Sequence, residues 1–80
     1  MVRIYADYNA RDEQGRIVLN TAGSLADIEK HRDEIREGME VTLNVQGEFE
    51  VKARLAFDKV WLAIPDMTSI TYLDVGDTPK

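Results

Sequence analysis

Eighty residues, 44% hydrophobic and 31% charged, provide for one core and not two, and this balance excludes a disordered chain. Ten basic against fifteen acidic residues give a net charge of −5, which argues against nucleic acid as a partner, because phosphate binding draws on clustered Lys and Arg. The lack of cysteine excludes a disulfide framework and thiolate metal sites, and no apolar stretch is long enough to span a membrane, so a reducing, cytoplasmic address is expected.

The first element is a strand over 2–9, with Val2, Ile4, Ala6 and Tyr8 inward and Arg3, Tyr5, Asp7 and Asn9 outward. Arg11-Asp12-Glu13-Gln14-Gly15 makes a polar turn, and Arg16 to Asn20 resumes as a strand that completes a hairpin with the first. Ser24 stands where a helix N-cap belongs and Gly38 where a C-terminal glycine belongs, which predicts a helix over 24–37, whole or in two short pieces. Its apolar stripe is Leu25, Ile28 and Ile35, interrupted by His31 and Arg32.

Met39 to Val45 alternates, with Met39, Val41, Leu43 and Val45 inward. Gln46-Gly47-Glu48 turns the chain, and Phe49, Val51, Ala53, Leu55 and Phe57 continue the inner face, with Val45 opposite Phe49. A two-residue loop at Asp58-Lys59 then pairs Phe57 with Val60. That register sends Val60, Leu62 and Ile64 to the core and Trp61 outward. Pro65 ends this strand, Met67-Thr68-Ser69 holds one helical turn, and 70–73 forms a last short strand. The domain is expected over 1–74, with 75–80 a frayed tail.

The expected fold is therefore mainly β (α+β): a small antiparallel barrel of five or six strands, with one short helix between strands two and three that plugs one end or covers one edge. Two stretches carry resemblances. Tyr5-Ala6-Asp7-Tyr8-Asn9-Ala10-Arg11-Asp12-Glu13, Arg36-Glu37-Gly38-Met39-Glu40-Val41-Thr42-Leu43, and Ala63-Ile64-Pro65-Asp66 followed by Ile70-Thr71-Tyr72-Leu73 resemble the first strand and loop, the lead-in to the second strand, and the final turn and strand of Src-homology-3 domains. The tandem tryptophans of the peptide groove are absent and Thr68 stands where its tyrosine is expected, so the resemblance implies the barrel and not proline-rich peptide binding. Gly15-Arg16-Ile17-Val18-Leu19 with Ile35-Arg36-Glu37-Gly38-Met39-Glu40-Val41 is similar to the swapped-hairpin transcription regulators and antitoxins, which implies an intertwined dimer on DNA.

The chemistry is sparse. His31 is the sole histidine and lies between Lys30 and Arg32; the carboxylates lack calcium-loop spacing, and the glycines form no phosphate-binding motif. No catalytic residue, metal site or cofactor is expected, and the chain reads as a non-enzymatic protein-interaction module, monomeric or weakly dimeric. A DNA-associated dimeric regulator and an acidic inhibitor of a nucleic-acid-binding protein are the alternatives. The candidate partner-binding residues are Trp61, Tyr5 and Arg54, which the expected register places on outer strand faces. Trp61 has two readings: a contact residue, or a side chain covered by Leu25, Ile28 and Ile35.

Overall fold

The computed structural model describes residues 2–72. Its strands are β1 (Arg3–Ala6), β2 (Ile17–Val18), β3 (Glu40–Val45), β4 (Phe49–Asp58), β5 (Val60–Pro65) and β6 (Thr71–Tyr72); helix α1 (Ala22–Lys30) lies between β2 and β3, and a 3-10 turn (Met67–Ser69) precedes β6. The strands form one six-stranded sheet in the order β1-β3-β4-β5-β2, with β6 also on β4, curled into a half-barrel. Alternation sends Ile4, Ala6, Val41, Leu43, Val45, Val51 and Leu55 to one side of the sheet, where they are buried together. Ile17, Leu19 and Ala63 complete that core, and Ile28 and Ile35 pack against it from the segment that joins β2 to β3. The β3–β4 hairpin has the expected register, Val45 opposite Phe49, and its turn uses left-handed backbone at Gln46 and Gly47.

Four expectations are corrected. β1 does not form a hairpin with β2; it pairs in parallel with β3, so the sheet is mixed. Asp7 is the reason: its carboxylate accepts from the Asn9 amide at 2.9 Å and its carbonyl from the Ala10 amide at 2.9 Å, which turns the chain out of the sheet. A small local hairpin follows further along, where the Val18 amide donates to the Ala10 carbonyl and the Asp12 amide to the Arg16 carbonyl. The helix spans Ala22–Lys30 rather than 24–37 and is capped by Thr21, whose hydroxyl accepts from the Ser24 amide; Ser24 itself is buried inside the first turn. The chain then turns through 31–34 to return Ile35 to the core.

The third and fourth corrections concern β5. Lys59 alone makes the turn, in left-handed conformation at φ 68°, so Asp58 pairs with Val60, Phe57 with Trp61 and Leu55 with Ala63. One residue of slip reverses every side chain on the strand. Trp61 therefore faces the core side, and Val60, Leu62 and Ile64 face outward. The helix does not cover Trp61, since α1 lies on β1 at the opposite end of the strand order. The expected tail over 75–80 lies outside the described residues.

Each edge of the sheet is met by another part of the chain. In a parallel pair, alternate residues of the edge strand point their amide and carbonyl away from the neighbour. Tyr5 is such a residue on β1, and α1 takes both groups: its amide donates to Asp27 Oδ2 at 2.8 Å and its carbonyl accepts from Ser24 Oγ at 2.5 Å. Gly23 permits this approach, because a Cβ there would sit 2.7 Å from Tyr5 Cδ2. The far edge, β2, is bonded to Ala10, and the stretch of β4 beyond β5 is bonded to the 3-10 turn, where the Lys52 amide donates to Ser69 Oγ at 2.9 Å. Asp27→Ala leaves the Tyr5 amide without its acceptor and should cost about 1–3 kcal/mol. Gly23→Ala overpacks the same contact and should cost about 1–3 kcal/mol. Urea titrations of the single and double variants check both, and the two losses should combine non-additively because they break one junction.

Candidate contact surface

Strand β5 reads Val60-Trp61-Leu62-Ala63-Ile64-Pro65, apolar at every position. A strand of this kind presents an apolar row to each side of its sheet. The inner row belongs to the core. Ala63 is fully buried, and Trp61 is half-buried and packs edge-to-face on Phe57 with ring centroids 5.1 Å apart.

The outer row is different. Leu62 is 4% exposed yet lies outside the core cluster, flanked in register by Ala56 of β4 and Val18 of β2. On either side of it along the strand, Val60 is 40% and Ile64 47% exposed. Their register partners on β4 are charged and opposite in sign: Asp58 beside Val60, Arg54 beside Ile64. The outer face of this hairpin is thus an apolar strip with a cation at one end and an anion at the other.

The Arg54 end continues into a shallow depression of about 260 Å³ that also takes in Glu40, Lys52, Pro65 and Asp66. Asp66 caps the 3-10 turn, accepting from the Thr68 hydroxyl at 2.6 Å and the Thr68 amide at 3.1 Å. Those two bonds, with Lys52 nearby, hold its carboxyl below the usual aspartate range and keep it ionised at neutral pH. Arg54 is anchored by a 2.9 Å bond from Nη1 to the Gly38 carbonyl. The depression is an electrostatically mixed rim beside an apolar strip.

The three residues named from sequence do not converge. Arg54 is exposed on the outer face of β4, Trp61 is on the inner face of β5, and Tyr5 is half-buried on β1, two strands from β4 and under Gly23 of α1. Tyr5 borders a second, open groove with Arg3, Asp27, Lys30, His31 and Asn44. Most of its charged groups are engaged: Arg3 pairs with Glu50 at 2.9 Å, His31 Nδ1 lies 3.3 Å from Glu34, and Asp27 holds the Tyr5 amide. The sequence reading assigns Val60, Leu62 and Ile64 to the core; Leu62 is buried, whereas Val60 and Ile64 stand exposed. The signal that marks them is the unbroken apolarity of 60–65, more than one face of a strand requires.

Among the described residues, no three His, Asp or Glu side chains are grouped to share a metal ion, and no helix is long and apolar enough to cross a membrane. In comparisons with known proteins, the chain matches no family model, no curated protein and no solved structure.

The inner position of Trp61 sets a contrast with Arg54. Trp61→Ala removes half-buried packing on Phe57 and the core and should cost about 2–3 kcal/mol. Arg54→Ala, at an exposed site, should cost less than about 1 kcal/mol. Urea unfolding of each variant, followed by far-ultraviolet circular dichroism, measures the difference.

Proposed function

We propose that this chain is a small, non-catalytic protein-interaction module that docks through the outer face of its β4–β5 hairpin. The observation that carries the reading is the two-sided apolarity of β5: the core covers one row, and Val60 and Ile64 of the other stand exposed beside Leu62. Large apolar side chains grouped on one face mark contact sites in small domains. The edges point the same way. With α1 bonded to Tyr5 of β1, the 10–12 segment to β2 and the 3-10 turn to Lys52 of β4, strand addition is hindered at each edge, which favours contact through a face.

The curl, the long connection after β1 and the 3-10 turn before the last strand support kinship with Src-homology-3-like barrels. The parallel β1–β3 pair departs from an antiparallel barrel. A non-catalytic role is supported by the placement of His31, in a turn after α1 and paired with Glu34 rather than with a nucleophile. The acidic, cysteine-free composition suits a reducing cytoplasm.

Replacing Ile64 by a photo-crosslinking phenylalanine derivative in the producing cell tests the reading. A discrete protein adduct should form at Ile64 and be absent from a control site on the helix, Glu29. Equal labelling at both sites, or none at Ile64, would contradict it.

A further inference from the structure

We infer that the partner of the β4–β5 face is a second copy of this chain, packed face to face about a two-fold axis that runs across the strands along the Ala56–Leu62 row. This rests on the outer face of the hairpin being the docking surface. The strip consists of three register rows: Arg54 with Ile64, Ala56 with Leu62, and Asp58 with Val60. Rotation about an axis along the middle row exchanges the other two. Arg54 of one copy then meets Asp58 of the other and Ile64 meets Val60, while Leu62, already buried within its own chain, lies beneath the axis. Every contact is apolar on apolar or cation on anion, and the reciprocal pair forms at the other end. A two-fold interface needs such self-complementarity, since the same patch serves both subunits.

The alternative axis, along the strands and between β4 and β5, sets Arg54 against Ile64 and Asp58 against Val60. It leaves both charges facing apolar side chains and forms no ion pair. The charge pattern therefore selects an orientation as well as a partner. The two sheets would pack about 10 Å apart with their strands nearly aligned, as in sandwiches.

The strip is small. Three rows roughly 7 Å apart on two strands about 4.8 Å apart cover at most a few hundred Å² per copy, against about 800 Å² per partner in a standard interface. The dimer is accordingly weak and concentration-dependent, and its orientation comes from charge more than from area.

Sedimentation equilibrium from about 10 µM to about 1 mM, the range of weak association, is the test. The native chain should pass from monomer to dimer mass in this range. Arg54→Glu and Asp58→Arg each set like charges together twice and should raise the dissociation constant at least about tenfold. Carrying both changes on one chain restores opposite charges and should restore the dimer. Mixing the two single variants should give a heterodimer, which also shows that each variant is folded. A native chain that stays monomeric to about 1 mM, or a double variant no better than the singles, would overturn the inference. With a monomeric native chain, an Ile64 crosslink to a different protein would leave the docking surface standing and remove only the self-association. A crosslink from Ile64 to another part of its own chain would remove both.

Discussion

The single-residue turn at Lys59 decides what this molecule shows to its surroundings. A non-glycine residue at φ 68° costs about 1–2 kcal/mol in backbone strain. The favoured two-residue loops would also set a non-glycine residue at positive φ, and one here would have reversed β5. The burial that follows outweighs the strain, because the observed register sets Ala63 against Leu55 and Ile17 in the core and Trp61 against Phe57 at its margin. The reversed register would drive Leu62 into the space that Ala63 now fills, and tight cores resist such overpacking. The outer strip of Val60, Leu62 and Ile64 is the complement of that choice.

The edges depend on a second device. A curled sheet of this size would end in two unpaired strands, each a template for association with other chains. Here α1 is fixed to β1 by side chains rather than by another strand: Asp27 and Ser24 satisfy the amide and carbonyl of a single residue, Tyr5. Thr21 frees Ser24 for this by taking over the N-cap. At the other end Asp12 shapes the short hairpin that covers β2. Partial desolvation pushes its carboxyl up, but bonds from the Arg16 side chain and amide and from the Gln14 amide outweigh that and hold it below the usual aspartate range.

Local alternation made much of this legible. β3 and β4 could be read with their register because polar and apolar residues strictly alternate on both, and Gln46-Gly47 has turn chemistry. The single helix between strands two and three, the 3-10 turn and the last short strand were equally readable. The parallel pairing of β1 with β3 was not, since it joins residues some forty positions apart and leaves no local mark. The β5 register failed for a different reason: with 60–65 apolar throughout, both registers offer the core an apolar row, and alternation cannot choose between them. Lysine in a left-handed turn carries no signal of the kind glycine gives at 47. The helix start was misjudged because Thr21 and Ser24 are both good caps, and only the tertiary bond from Ser24 to Tyr5 separates them.

The account turns on the β4–β5 register, and cross-strand nuclear Overhauser contacts report it directly. It predicts backbone contacts linking Leu55 with Ala63 and Phe57 with Trp61, and side-chain contacts from Leu62 to Ala56 and Val18. Contacts linking Phe57 with Val60 and Leu55 with Leu62 instead would return the outer strip to the core and contradict the account.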